Sequence, residues 1–550
     1  MASLAEELAG LVKGGVDRSP EALARASHDA SMFELVPEVV VFPKDSEDVK
    51  AIVRFVSAHK HGDPNLSITA RSAGTDMSGG AVGQSIIVDY GKYFTGVISA
   101  STDSAEVKPG TFYRDFEAET LKHGSLMPTY PASRDLCTVG GMVANNAGGE
   151  KSLRYGKTEN FVTELKVVLS DGNEYSVRPL KREELEAKLA QDDFEGNLYR
   201  QVYELVDQNY DQIKAAKPRV SKDSTGYHLW NVWDRDSGMF DLNQLIIGSQ
   251  GTLGLITSIK FRLVKKPQYA GTLVIFLRHL HNLGELINQV LKHQPASFEG
   301  FDNYTLMLSF KLFPYFHKNL GWWGMAKLGV KLIPDFFKLI RGIPKMVLLV
   351  EFDADNQAEV TERVTKLHAD LAQFGHPALY EENETENKSR KFWIMRRESF
   401  NLLRQKVKDK HTAPFIDDLV VPPQHLPQFL PQIRAIINRY KMLATVAGHM
   451  GDGNFHIIPL MKIEDKREKA KLEPAMREIN QLVLNYGGSL SGEHNDGMIR
   501  GPWLEQMYGP DIVEHFKRVK QIFDPQNIFN PHKKTDANWA FSMDHLREHF

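Results

Sequence analysis

Cysteine is almost missing from this chain: Cys137 is the single one in 550 residues. That excludes an internal disulfide, a CxxC motif and a cysteine-ligated iron–sulfur cluster, and it fits a reducing compartment. Charge of one sign is also lacking, since 67 Lys and Arg face 70 Asp and Glu for a formal net of −3. Such a balance gives no support for nucleic acid as a partner. Long hydrophobic runs are absent, and no stretch reaches the roughly 18–20 apolar residues of a membrane span. The opening "MASLAEELAG" carries glutamates at once, unlike a secretory signal or an acid-poor transit sequence. The expectation is a cytoplasmic protein, soluble or peripheral on the cytoplasmic face of a membrane. No GxGxxG follows a strand, so the common dinucleotide fingerprint is missing. "YGKT" at 155–158 ends like a phosphate-binding P-loop, but Lys151 stands where that motif needs glycine.

What is there describes a globular chain, 42% apolar and 25% charged, too long for one ordinary core. "EVVVFPKDSEDVKAIVRFVSAH" reads as an extended piece, a turn and an amphipathic helix capped by Asp45. A β-rich, glycine-punctuated region follows to about residue 267, with strands such as "SIIVDY" and a hairpin signal at Asp171-Gly172. Beyond it, strands ("GTLVIFLRHL", "KMVLLVEFDAD") alternate with helical stretches ("QAEVTERVTKLHADLAQFG", "LEPAMREINQLVLNYGG"), which predicts an α+β second domain. One segment departs from the mean: residues 310–345 hold seven basic residues against one acid, interleaved with Trp322, Trp323 and several Phe. That is the composition of an element lying on an anionic membrane surface, or of a helical lid whose aromatics are core.

Three loops place glycines and small polar residues where backbone N–H groups can approach a phosphate or a flat ring. They are "ARSAGTDMSGGAVG" (70–83), "VGGMVANNAGGEKSLRYG" (139–156) and "IIGSQGTLG" (246–254). A second pattern is "GHMGDGNFH" (448–456). Its Gly-Asp-Gly-Asn centre is poor helix sequence, so strand, tight turn and strand are expected, with His449 and His456 converging at the strand ends. Metal ligands, a catalytic pair, or polar residues flanking a hairpin all fit that geometry. Some forty residues on, "LSGEHNDGMIRGPW" (490–503) sets Glu493 beside His494. On an extended or turn backbone the two side chains are expected on different sides, one for a metal and the other for a substrate. His449, His456 and Glu493 are a donor set that suits Zn²⁺, and also Mn²⁺ or Fe²⁺.

From about residue 34 to "FDPQNIFNPHKK" (523–534) the chain resembles the vanillyl-alcohol-oxidase/PCMH flavoprotein superfamily, and within it the FAD-linked D-2-hydroxyacid dehydrogenases. That branch includes flavin D-lactate dehydrogenases, the glycolate oxidase flavin subunit and D-2-hydroxyglutarate dehydrogenases. The resemblance implies an α+β fold. An N-terminal helical extension (1–33) precedes a PCMH-type FAD-binding domain (34–267). A ferredoxin-like α+β substrate (cap) domain (268–500) carries the insert 310–345, and a C-terminal helical segment (501–550) returns to the FAD domain. It implies that Arg71, Ser72, Ala73, Gly74, Thr75, Asp76, Ser78 and Gly79 wrap the FAD pyrophosphate. Pro131, Ser133, Thr138, Gly140, Gly141, Asn145, Asn146, Gly148 and Gly149, within 131–149, would run past the ribityl chain and ring. Gly248, Gly251, Thr252 and Gly254, within 247–254, would line the adenine side, Tyr155 and Ile256 would also bind the cofactor, and Asn530 belongs to the C-terminal motif; "KDSTGYHLW" (222–230) matches a stretch near the flavin. Departures are Gln250, where the family usually has glutamate, and His532 in "NPHK" for "NPGK". With no His in 71–80, FAD is expected without a covalent tether.

The same resemblance places the metal on His449, His456 and Glu493, the substrate on Asn454 and the base on His494. Arg397 in "FWIMRRESF" (392–400) best matches the substrate-binding arginine, with Arg396 the rival by one position; the fork of a guanidinium holds a carboxylate. The reaction implied is oxidation of a small D-2-hydroxy acid. "PFIDDLVVPPQHLPQFL" (414–430) is more similar to the D-lactate and glycolate members. Electrons would leave to an external acceptor, a quinone if residues 310–345 lie on a membrane.

Overall fold

The computed structural model describes residues 3–303, 344–373, 378–383, 385, 389–394, 396 and 410–547. Two compact units contain them: Met1–Gly149, Tyr155–Lys266 and Ser489–Phe550 form one, Glu150–Arg154 and Pro267–Gly488 the other. Of the basic aromatic segment, residues 310–343 lie outside the described residues. No helix among the described residues is long and apolar enough to cross a membrane.

In the first unit the helix Ser46–His59 starts where Asp45 accepts from the Asp48 amide. Val49, Ile52, Val53 and Val56 recur at helical spacing and are fully buried, so one stripe of the helix faces a core. That core is shared with a four-stranded sheet ordered Gly15–Asp17, Val39–Phe42, Ile86–Asp89, Ile68–Arg71. The last three strands are parallel. A second sheet, of five antiparallel strands, runs Val97–Ala100, Ser104–Val107, Leu255–Arg262, Val162–Val168, Glu174–Val177. Its last two strands close around Asp171-Gly172 as the turn signal predicts. Helices Phe194–Gln208 and Leu504–Phe523 add Val202, Val206, Phe516 and Val519 to the larger core. The chain returns to this unit at Ser489, and Asn530 N donates to the Ile68 carbonyl at 2.8 Å, beside the first glycine loop.

The second unit is built on a sheet with eight strands among the described residues. The order is Ala378–Asn383, Tyr269–Leu277, Met346–Ala354, Ser297–Asp302, Leu443–His449, Asn454–Met461, His411–Thr412, with Leu419–Val420 also on Asn454–Met461. The central strand Met346–Ala354 is buried over eight of its nine residues, the run expected when both faces are covered. Helix Gln357–Gln373 packs on the strands beside it, and Leu283–Leu291, Leu426–Arg439 and Leu472–Asn485 pack on one another. Segment 150–154 joins this unit although its neighbours in sequence belong to the first; Lys151 pairs with Glu351, and Arg154 with Asp353.

Candidate active site

The three glycine loops of the first unit meet around one cleft. Ser72, Ala73, Gly74, Thr75 and Asp76 line it from the first loop, Thr138, Gly140, Gly141 and Asn145 from the second, and Gly251, Gly254 and Ile256 from the third. Ala70, Gly80, Ala81, Tyr90, Pro109, Ala144 and Gln250 complete the wall. Tyr90 and Pro109 lie outside the glycine-rich stretches, which is why loop composition does not reveal them. Thr138 Oγ1 and Tyr90 Oη are buried on this wall without a hydrogen-bond partner among the described residues. Buried polar groups are normally paired, so a glycine-walled cleft with two orphan hydroxyls fits a flat, polar dinucleotide such as FAD.

The other residues expected at the cofactor lie off that wall. The Arg71 guanidinium donates to the carbonyls of Ala81 at 3.1 Å, Arg25 at 3.2 Å and His28 at 2.9 Å, bracing the first loop rather than reaching into the cleft. Asn530 Nδ2 donates to the carbonyls of Gly80 (2.8 Å) and Gln250 (2.7 Å), tying the first loop to the third. Ser78 Oγ accepts from Gln250 Nε2 at 2.8 Å and donates to Asp76 at 2.9 Å. The Gly248 carbonyl accepts from Asn495 at 2.8 Å, and Thr252 Oγ1 bonds the Tyr227 hydroxyl at 2.7 Å. Asn146, at φ 49, ends the helix Val139–Asn145. Gly79, Pro131, Ser133, Gly148, Gly149 and Tyr155 do not line the cleft. Gln250 at its departure from the family pattern works as both donor and acceptor: its Oε1 takes the Gly497 amide at 2.8 Å. A glutamate there would compete with Asp76 for the one Ser78 hydroxyl proton.

In the same unit the chain bends at 492–494, which overturns the expectation of opposite sides for Glu493 and His494. His494 Nε2 lies 3.8 Å from Glu493 Oε1, because a bend, unlike a strand, does not alternate its side chains. Lys222, from the "KDSTGYHLW" stretch, is fully buried and pairs with Glu493 Oε2 at 3.1 Å.

The second unit carries the histidine hairpin. Strands Leu443–His449 and Asn454–Met461 pair through a short 3₁₀ turn, Met450–Asp452, with His449 opposite Asn454 and Ala447 opposite His456. Gly453 takes φ +64, and a Cβ there would lie 1.9 Å from the Val421 carbonyl oxygen. The imidazoles converge as expected, with ring centroids 5.2 Å apart. Each ring is held at Nδ1 by a buried carboxylate: His449 by Glu299 Oε1 at 2.7 Å, His456 by Asp417 Oδ1 at 3.1 Å. That arrangement sets the tautomer and assigns Nε2 to any metal. Neither Glu299 nor Asp417 is signalled by spacing in the sequence. Burial would raise the Glu299 carboxyl, but Arg396 and His449 beside it hold it below the usual range. Arg396 is buried and ion-paired to Glu299, which occupies the rival for the substrate clamp; Arg397 lies outside the described residues. Asn454, fully buried, donates Nδ2 to Asp418 Oδ1 at 2.9 Å, and its Oδ1 has no partner among the described residues.

Residues 37–178 match the family model described as "FAD binding domain", and residues 266–534 match "FAD linked oxidases, C-terminal domain". The chain is similar to the D-2-hydroxyglutarate dehydrogenase of Pseudomonas putida, 28% identical over 519 residues, covering 92% of this chain and 49% of that protein. It therefore spans about half the length of that relative. The D-lactate dehydrogenase of Archaeoglobus fulgidus is 24% identical, covering 90% of each chain. Among solved structures, p-cresol methylhydroxylase with substrate bound superposes with a TM-score of 0.66 over 98% of this chain and 96% of that one, at 13% identity. That likeness speaks for the fold.

Proposed function

Because the chain belongs to the FAD-linked oxidases of the vanillyl-alcohol-oxidase/PCMH flavoprotein family, we propose that it oxidises a D-2-hydroxy acid to the 2-oxo acid. The substrate proposed first is D-lactate, on the likeness of residues 414–430 to the D-lactate and glycolate members. D-2-hydroxyglutarate is the second reading, favoured by the similarity to dehydrogenases of that name over 92% of the chain. The observation that carries the proposal is the pair of hairpin histidines, each held at Nδ1 by a buried carboxylate.

The residues take these parts. His449, His456 and Glu493 hold a divalent metal, Zn²⁺ first and Mn²⁺ or Fe²⁺ otherwise. Bound non-covalently in the glycine-loop cleft, FAD supplies the acceptor for the C2 hydride, while the metal supplies Lewis acidity at the hydroxyl. Arg397 clamps the substrate carboxylate. Asn454 is pinned through its NH₂, which leaves its side-chain oxygen as the group to accept from the substrate. His494 takes the hydroxyl proton, a role open to an imidazole near neutral pH. Electrons then pass to a quinone or another external acceptor.

The test is an anaerobic absorbance titration of the FAD-loaded protein with D-lactate, L-lactate, glycolate and D-2-hydroxyglutarate, with and without chelator. Bleaching by a D-acid, lost on demetallation and restored by Zn²⁺ or Mn²⁺, is expected. Bleaching that survives complete demetallation overturns the metal's part, and a His494→Ala protein that reduces at the wild-type rate overturns the base.

A further inference from the structure

A buried charge cluster in the first unit has no part in the steps above. His228, 5% exposed, has Nδ1 2.8 Å from Glu159 Oε2 and Nε2 3.3 Å from Asp223 Oδ2. A neutral imidazole has one N–H and one lone pair, so whichever nitrogen lacked the proton would face a carboxylate oxygen. The doubly protonated ring donates from Nδ1 to Glu159 and places its charge in ion-pair contact with Asp223 Oδ2, which has no hydrogen-bond partner among the described residues. The charged and titratable groups around it are Glu159, Asp223, the Lys157 ammonium on the Asp223 carbonyl, and the Tyr508 hydroxyl close to Asp223. Burial works against a charged ring, yet the two carboxylates raise His228 above its ordinary value. Burial likewise works against Glu159, and His228 with Lys157 and Asn146 holds it down to about 2.

The two carboxylates lead to different segments. Glu159 accepts from Asn146 Nδ2 at 2.9 Å, and its own amide donates to Asn146 Oδ1 at 3.0 Å. Asn146 caps the helix that supplies Thr138-adjacent wall to the cofactor cleft. Asp223 Oδ1 accepts from Ser489 Oγ at 2.6 Å. Its neighbour Ser224 donates N–H to the Ser491 carbonyl at 2.9 Å, and Oγ–H to the carbonyls of Gly492 (3.1 Å) and Asn146 (3.3 Å). Gly492 directly precedes Glu493 and His494.

We propose that His228 is a positioning residue: by holding Glu159 and Asp223 apart at a fixed distance, it sets the register between the second glycine loop and the turn that carries Glu493 and His494. The idea rests on the reading above, in which that loop serves the flavin and that turn serves the substrate. With a neutral side chain at 228, Lys157 is left as the nearby cation for two buried carboxylates that no longer share a charged ring between them, and their like charges repel more strongly.

The test uses the full-length FAD-loaded protein. Histidine-¹⁵N NMR of the wild type should show one ring with both nitrogens protonated at pH 7, missing from the spectrum of His228→Gln. A neutral His228 at pH 7 overturns the proposal with no reference to substrate. His228→Gln should bind FAD within about threefold of wild type, while its anaerobic flavin-reduction rate falls by about tenfold or more. Adding Glu159→Gln and Asp223→Asn removes the repulsion, so the triple variant should recover about threefold or more of that rate. A histidine that only fills space would make the triple variant slower than the single one, and that result, or a wild-type rate in His228→Gln, overturns the proposal. If no 2-hydroxy acid bleaches the wild type, it is the functional reading that fails; the NMR measurement still decides His228.

Discussion

Glu299 touches His449 with one carboxylate oxygen and Arg396 with the other. Replacing it by glutamine keeps an acceptor for the imidazole but removes the charge that orients it, and affinity for the proposed metal should drop by about 10–100-fold. Metal titration of Glu299→Gln against wild type measures this directly. Asp29 offers a different single-residue experiment. Burial, and then the nearby Asp76, push its carboxyl from an ordinary 3.8 up to about 7. The folded state therefore binds a proton that the unfolded chain has released. Stability present below the unfolded value is lost as pH rises towards about 7. Asp29→Asn should flatten that decline, seen as a Tm that changes less between pH 4 and 7 than the wild type's. "GHMGDGNFH" reveals its two histidines to anyone reading the sequence. Their carboxylate partners are hidden because Glu299 lies 150 residues from His449, and Asp417 39 from His456. Only sheet register, with Glu299 opposite His449, brings the first of these pairs together.

Elements with local causes were legible: the Asp45-capped helix, the Asp171-Gly172 hairpin and the strand–turn–strand of the histidines all follow from neighbouring residues. The relative direction of Glu493 and His494 is not legible because a bend has no fixed side-chain alternation, and no local pattern announces that Arg71 turns back to four carbonyls of its own surroundings. The hairpin and the loops can be tested as elements. Gly453→Ala must place a Cβ against the Val421 carbonyl oxygen at a left-handed φ, so it should cost more than about 2 kcal/mol and loosen metal retention. Chemical denaturation with metal analysis reads both. Gly251 is also left-handed, at φ +69, but the nearest atom to an added Cβ is Ala70 Cβ at 3.5 Å. Gly251→Ala should therefore cost the apo-protein only about 1 kcal/mol, while FAD affinity, followed by flavin fluorescence, falls by about tenfold as the cleft wall stiffens and fills.

At the scale of the whole molecule, cofactor binding and stability are one equilibrium. FAD at a hundred times its Kd should stabilise the folded chain by about 2.7 kcal/mol, and a chain stripped of flavin should melt correspondingly lower. We also propose, from composition alone, that residues 310–345 dock on an anionic membrane surface. Deleting them should then release the protein from anionic vesicles and leave flavin bleaching intact; unchanged vesicle binding sinks that idea. The path of the chain has a further consequence for anyone who wishes to handle its halves apart. Because 150–154 belongs with 267–488, the second unit is not a cassette that one pair of cuts can lift out. An expressed fragment 267–488 would contain Glu351 and Asp353, both buried, without the lysine and arginine that neutralise them. Two such carboxylates stripped of their cations must take up protons or drag water inward, so the excised piece should be a poorer folder than its hydrophobic sheet suggests, and supplying the "GEKSLR" turn-and-helix segment in trans should be what rescues it.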